Sequence, residues 1–326
     1  MARVFITRAI PGRAVEQLEA AGHAVETWPG DLPPPPAELA AALVRSDAVM
    51  AMVVDRITPE MLAAAPRLRI VANMAAGYDN VDPAAAADLG VWVTNTPGVL
   101  AETTADLAFG LLLAAARRIV ESDRDTRAGG WKTWSPTAFL GTDVFGATLG
   151  IVGLGEIGEA VARRARGFKM RILYHSRTRK PALEADLGLE YRPLPELLAE
   201  SDFVTLHTPL TPETRHLIDA AALAAMKPGA ILVNTARGQV VDQDALVEAL
   251  RTGRLGGAAL DVTTPEPLPL DHPLSTFPNV IITPHIGSAS RATRARMAEM
   301  AAANILAVLA GREPPNPVNR PANPRS

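Results

Sequence analysis

The chain of 326 residues contains no cysteine. That absence removes disulfide frameworks, thiolate zinc sites, iron–sulfur clusters and a cysteine nucleophile in one step. Chemistry must therefore come from His, Arg, carboxylates, hydroxyls or a bound cofactor. An excess of charge is missing too: 32 Lys+Arg stand against 35 Asp+Glu, leaving a formal −3. Without the basic surplus that a phosphate backbone demands, nucleic acid is not an expected partner. Long apolar runs are also missing. The longest, Leu107 to Ala116, is far below a membrane span, and the opening MARVFITRAI is too short in apolar residues for a signal peptide. The reading is a soluble cytoplasmic protein with no membrane partner and no metal site.

What is present is a globular composition, 48% hydrophobic and 21% charged, which excludes disorder across the whole chain. At about 150 residues per domain the length predicts two domains. Short β-rich runs alternate with helical segments from the first residues. Strands are expected at Val4 to Thr7, His23 to Thr27, Ala48 to Val53, Arg69 to Ala72 and Val91 to Thr94, and helices at Ala14 to Ala21, Glu38 to Arg45, Pro59 to Ala65 and Pro83 to Leu89. This alternation is the signature of βαβ units on a parallel sheet. The proline run Pro33 to Pro36 reads as a stiff loop rather than a domain linker. A long helix is expected over Glu102 to Val120, with Arg117-Arg118 at its carboxyl end. It is apolar nearly all round, which predicts that it is sandwiched at a domain junction or a subunit interface.

The most informative stretch is residues 148–180. A strand at Leu149 to Val152 leads into Gly153, Gly155 and Gly158, a GxGxxG, then a helix at Ile157 to Gly167 and a second strand at Arg171 to His175. Alone the motif is weak; framed by strand, helix and strand it marks a dinucleotide site. Gly153 permits the tight turn, Gly155 lets backbone approach the pyrophosphate, and Gly158 lets helix pack on strand, with the helix amino terminus facing the phosphates. Because the motif sits near mid-chain, the rest of a six-stranded Rossmann sheet must follow, at Phe203 to His207, Ala230 to Asn234, Gly257 to Val262 and Val280 to Thr283. A helix at Ser290 to Ala310 is left over and is expected to return to the first domain. The fold expected is thus α/β, two doubly wound parallel-sheet domains. Residues 1–98 plus 288–326 form a flavodoxin-like substrate-binding domain, and 99–287 an inserted NAD(P)-binding Rossmann domain, with a ligand cleft at the crossings.

In NAD sites an acidic residue about 20 positions past the glycines binds the ribose 2′-hydroxyl. Here that strand ends in Ser176-Arg177-Thr178-Arg179-Lys180, with no acid before Glu184. The reading is NADP(H) preferred, NAD(H) possible. Three further groups stand at or just beyond strand ends, where doubly wound sheets bind ligands. Arg237, within Asn234-Thr235-Ala236-Arg237-Gly238, can clamp a carboxylate bidentately. Glu266 projects from the Pro-flanked loop Asp261 to Pro267, and His285 ends the last strand. Each alone has an ordinary structural explanation. Together they supply a cation for a substrate carboxylate, a histidine acid/base and a carboxylate that favours the imidazolium, which is what reduction of a 2-keto acid requires.

With these residues assembled, the chain resembles the D-isomer-specific 2-hydroxyacid dehydrogenases, in the glyoxylate/hydroxypyruvate reductase branch. The resemblance rests on NMAAGYDNVD (73–82), NTPGVLAETTADLAFGLLL (95–113), GLGEIG (153–158), NTARGQVVD (234–242), LDVTTPEPLPLDHPL (260–274) and TPHIGSAS (283–290). It implies that Arg237 and the backbone at Ala76-Gly77 hold the substrate carboxylate, that His285 donates the proton and that Glu266 is its partner. It implies cofactor contacts from Thr104, Leu154, Gly155, Glu156, Ile157, Ser176, Arg177, Thr178, Thr208, Pro209, Thr235, Asp261 and Gly287, with Ala236 beside them. Val53 and Val54 would shape the substrate side-chain pocket, and Trp134 would reach the partner's pocket in a homodimer formed through the cofactor domains. The substrate expected is a small 2-keto acid, glyoxylate or hydroxypyruvate. Another enzyme of the family, of D-lactate or phosphoglycerate type, and a dinucleotide-sensing corepressor are the alternatives.

Overall fold

The computed structural model describes residues 1–325, and they divide into two compact units. One comprises Met1–Leu100 together with the chain from Ser288 on, the other Ala101–Gly287.

The first unit is built on five parallel strands, β1 (Arg3–Ile6), β2 (Ala24–Thr27), β3 (Ala48–Ala51), β4 (Ile70–Asn73) and β5 (Trp92–Thr94), in the order β2-β1-β3-β4-β5. This is the flavodoxin-like winding. The central strands AVMA and IVAN are buried at every position, because a parallel sheet covered by helices on both faces has no solvent side. One face packs Val4, Ile6, Met50 and Ile70 against Met297, Ala301 and Ile305 of the helix Arg291–Leu309. The leftover helix of the sequence therefore belongs to this unit. The other face packs Phe5, Val49 and Val71 against Leu43 and Leu62.

The edge beyond β5 is closed by the end of the chain. Thr94 bridges antiparallel to Pro317, Val93 N donates to Asn319 Oδ1, and Arg325 donates from Nη1 to the carbonyls of Ala65 and Leu68. A covered edge cannot template pairing with another chain.

The second unit holds seven parallel strands: β6 (Thr148–Val152), β7 (Arg171–His175), β8 (Leu189–Tyr191), β9 (Phe203–Leu206), β10 (Ile231–Asn234), β11 (Gly257–Leu260) and β12 (Val280–Ile282). Their order is β12-β11-β10-β9-β6-β7-β8. The winding starts at β6 and runs outward both ways, so the topological switch point lies between β6 and β9. The sheet has one strand more than the sequence led us to expect. The added β8 is only Leu-Glu-Tyr, too short for its alternation to register.

The long helix also differs from expectation. It ends at Ala116, and a second helix, Ile119–Arg127, follows after a break at Arg118, whose φ is +53°. The break is held from outside the helix. Thr142 N donates to the Ala116 carbonyl at 2.8 Å, satisfying one of the acceptors that every helix end leaves open. Before the break, Ala105, Phe109 and Leu112 pack on Leu149, Ile151 and Val233 of the sheet.

Candidate active site

The carboxyl edge of the seven-stranded sheet can be read off its register. Val152, Leu206, Asn234, Leu260 and Ile282 stand side by side on β6, β9, β10, β11 and β12. The next residues, Gly153, His207, Thr235, Asp261 and Thr283, therefore form one row along the rim where doubly wound sheets bind ligands.

At the switch point Gly153 has φ +97°, and a Cβ placed on it would lie 2.7 Å from the His207 carbonyl carbon. A Cβ on Gly158 would lie 2.2 Å from the Gly153 carbonyl oxygen, so the helix Glu156–Gly167 meets the turn without a side chain between them. Gly155 faces open space, and no side chain caps the helix there. The amides of the first turn, flanked by buried Leu154 and exposed Glu156, are thus free to meet an anion.

Further along the rim, Thr208 Oγ1, Thr235 Oγ1 and His207 Nδ1 are buried without a hydrogen-bond partner among the described residues. Such groups cost about 1–3 kcal/mol each when left unmade. A polar ligand along the rim would satisfy them, and a dinucleotide fits this cradle. Pro209 follows, its carbonyl accepting from Thr214 Oγ1. His207 was not singled out from the sequence. Burial pushes its imidazole down to about 3, and its Nε2 shares a hydrogen with Thr205 Oγ1 at 3.0 Å. The ring is therefore neutral at ordinary pH.

The basic segment after β7 separates into distinct roles. Arg179 is committed to Glu184, at 2.8 Å, and lies over the Tyr191 ring. The pairing holds Glu184 below the usual carboxylate range, helped by the Tyr174 hydroxyl. Ser176 Oγ donates to the Thr178 carbonyl, tightening the turn. Arg177 at the tip is exposed and makes no hydrogen bond or ion pair among the described residues.

Arg237, Glu266 and His285 come from three loops that the structure joins. Asn234, buried at the end of β10, accepts from Ala236 N and donates to the Arg237 carbonyl, while Arg237 Nη1 donates to the Ala236 carbonyl. A Cβ on the next residue, Gly238, would lie 2.1 Å from the Thr263 carbonyl oxygen, so the arginine loop and the glutamate loop touch at a point where only glycine fits. Glu266 Oε1 accepts from Thr263 N, and its Oε2 lies 2.9 Å from His285 Nδ1. Both members of the pair are about one third exposed.

His285 adopts a left-handed φ of +53°, a conformation that costs energy in a non-glycine residue and persists only where its surroundings impose it. The imposing group is Asp261. Its carboxylate accepts from Thr283 Oγ1, Ile286 N and Gly287 N, and its carbonyl accepts from His285 N. Thr104, buried near the start of the helix Ala101–Ala116, lies against Gly287. The groups that hold the histidine and arginine loops, Asp261 and Asn234, are thus buried polar residues at strand ends.

Val53, Ala76 and Gly77 lie in the first unit, half-buried in the loops after β3 and β4. Trp134 is 79% exposed and Trp131 69%. No helix among the described residues is long and apolar enough to cross a membrane.

A dinucleotide cradle and a histidine–carboxylate pair on one sheet rim are the equipment of a nicotinamide-dependent dehydrogenase. Comparison with known proteins makes the assignment specific. Residues 109–287 match the model of the D-isomer specific 2-hydroxyacid dehydrogenase NAD binding domain. A glyoxylate reductase from Korarchaeum cryptofilum is 53% identical over 98% of this chain and 96% of its own length. Among solved structures, a protein from Thermus thermophilus is 54% identical with a TM-score of 0.92, covering 97% of this chain and 99% of that one. An NADPH-dependent glyoxylate/hydroxypyruvate reductase from Sinorhizobium meliloti, solved with NADP and malonate, is 34% identical with a TM-score of 0.86, covering 100% and 99%. The chain belongs to the D-isomer specific 2-hydroxyacid dehydrogenase family and is an NAD(P)-dependent enzyme of it.

Proposed function

We propose that the enzyme reduces small 2-keto acids, glyoxylate and hydroxypyruvate, to glycolate and D-glycerate, with NADPH preferred over NADH. The observation that carries this reading is the 2.9 Å pair of His285 and Glu266, with the glutamate's loop touching the one that bears Arg237. Relatives at about half identity that are named glyoxylate reductase support the choice of substrate.

When bound, the reduced nicotinamide supplies the hydride. The protein's own task is the proton and the charge. Nδ1 of His285 is committed to Glu266, which leaves Nε2 to hold the proton that the carbonyl oxygen takes as it becomes a hydroxyl. Glu266 fixes the ring's orientation and compensates the imidazolium. Arg237 presents a planar fork to the substrate carboxylate. On the first unit, the backbone at Ala76-Gly77 is the second carboxylate-binding element, and Val53 borders the substrate side chain. The cofactor contacts proposed are the glycine loop, Thr104, Ser176 to Thr178, Thr208, Pro209, Thr235, Ala236, Asp261 and Gly287.

Arg177 is the residue proposed to distinguish the two nucleotides, because Arg179 is already paired. A charge-assisted bond to a 2′-phosphate contributes about 1.5–3 kcal/mol, roughly 10- to 150-fold in kcat/KM. Wild-type enzyme is expected to favour NADPH over NADH. Arg177→Ala is expected to remove most of that preference by weakening NADPH alone. A wild-type preference for NADH, or a variant with the preference intact, overturns the assignment.

The enzyme is further proposed to act as a homodimer through its second unit, with Trp134 reaching the partner's substrate site. Ile119, Trp131, Trp134, Leu140 and Phe145, large apolar side chains between residues 119 and 145, are all more than half exposed. So many large apolar side chains exposed within one segment support the reading that this segment is covered by a partner. Sedimentation equilibrium at micromolar protein is expected to give twice the chain mass, and Trp134→Ala to raise KM for the keto acid; a monomer contradicts the proposal.

A further inference from the structure

Where a flavodoxin-like sheet offers the carboxyl ends of its strands to a ligand, the first unit places a buried polar brace of its own. Thr7, Asp55, Asn73 and Asn80 are each less than a tenth exposed. Asp55 Oδ2 accepts from Thr7 Oγ1 and Met52 N, and Asn80 Nδ2 donates to the carbonyls of Met52 and Asp55. Asn73 in turn donates to Asn80 Oδ1 at 3.0 Å. The loops after β3 and β4 are thereby tied to one another behind the rim.

Two asparagine amides reach forward here, one from this brace and one from the neighbouring strand end. Ala72 on β4 pairs with Thr94 on β5, so Asn73 and Asn95 stand side by side one step beyond. Asn95 Nδ2 donates to the Ala76 carbonyl and Asn73 Nδ2 to the Gly77 carbonyl, both at 2.7 Å. In a planar trans peptide the N–H points opposite to the carbonyl it follows. Holding those two carbonyls toward the asparagines therefore turns the amides of Gly77 and Tyr78 away from them, in the same direction. Neither amide finds an acceptor among the described residues. Successive N–H groups turned outward make a concavity that binds anions.

We infer that Asn73 and Asn95 are positioning residues for carboxylate recognition. They lock two successive peptides so that the Gly77 and Tyr78 amides form a fixed, two-pronged receptor for the carboxylate of a 2-keto acid. The inference deepens the proposed function and rests on it for the identity of the substrate. It explains why a loop without charged side chains at Ala75 to Tyr78 can hold an anion. Fixed donors also act without reorganising when the substrate arrives.

The test uses full-length enzyme with NADPH. Asn73 is fully buried, so Asn73→Asp risks the fold; Asn95 is half-buried, and Asn95→Ala and Asn95→Asp keep the question answerable. Loss of one positioned hydrogen bond is expected to raise KM for glyoxylate about 10-fold in Asn95→Ala, and more in Asn95→Asp, where an acceptor faces the Ala76 carbonyl. Expected alongside are kcat within about 3-fold of wild type and unchanged NADPH affinity. The dissociation constant of oxalate, a nonreacting dicarboxylate measured by calorimetry, is expected to rise in parallel. A merely structural role would lower thermal stability and leave KM and oxalate affinity alone, and that result overturns the inference. Wild-type enzyme that reduces no glyoxylate defeats the proposed substrate by itself; oxalate binding then still decides the receptor, and wild type that binds no oxalate overturns it.

Discussion

His285→Ala is expected to lower kcat for glyoxylate reduction by about 10²- to 10⁴-fold, equivalent to roughly 3 to 5.5 kcal/mol of barrier. The size of the effect follows from what is removed. The histidine is the group whose free nitrogen can deliver a proton to the alkoxide as hydride arrives, and its Nδ1 is held 2.9 Å from Glu266. The dinucleotide cradle, from Gly153 to Gly158 and along to Thr235, does not include the ring. NADPH affinity, read by fluorescence titration, is therefore expected to stay near wild type. Single-turnover kinetics isolates the chemical step. A variant that retains wild-type kcat would assign the proton to another group.

Arg237→Ala is expected to raise KM for the keto acid by roughly 10- to 150-fold, the range that about 1.5–3 kcal/mol of charge-assisted hydrogen bonding spans. The guanidinium is presented by a loop that Asn234 braces from both sides, so the backbone that carries it is fixed before substrate binds. Arg237→Lys separates charge from geometry, since an ammonium retains the charge and loses the paired donors. It is expected to recover only part of the loss. An unchanged KM in Arg237→Ala would move carboxylate recognition elsewhere. The substitution leaves Gly238 in place, and with it the junction to the glutamate loop, so the two effects can be read apart.

Much of this architecture was legible in the sequence because it follows short-range rules. The buried strands read as β-branched and small apolar runs, and both parallel sheets follow from their alternation with helices. The glycine loop was legible because Gly153 and Gly158 are demanded by backbone approach, which no side chain can imitate. Features set by distant parts of the chain were not legible. The helix break at Arg118 depends on Thr142 and Gly141, more than twenty residues away, which close on the Ala116 carbonyl. Nothing in the apolar pattern through Val120 records that contact. Strand β8 is too short to show a period, and the chain end became an edge cover through Asn319 and Arg325.

The candidate site divides in the same way. Arg237, Glu266 and His285 stood out as chemistry-bearing residues at strand ends. The groups that hold them, Asn234 and Asp261, and the brace of Asn73, Asn80 and Asn95, read as ordinary polar residues until the fold showed them bonded to the backbone of functional loops. An asparagine at or just past the end of a β-strand and before a small-residue loop is the signal that would have found three of them, Asn73, Asn95 and Asn234.

The central claim is that this chain reduces a small 2-keto acid with a nicotinamide hydride. The most direct measurement mixes purified wild-type enzyme with NADPH and glyoxylate, follows the loss of nicotinamide absorbance, and quantifies the organic product. Saturable NADPH oxidation, with one glycolate formed per NADPH consumed, is the expected result. Failure to turn over glyoxylate or hydroxypyruvate with either nucleotide would contradict it.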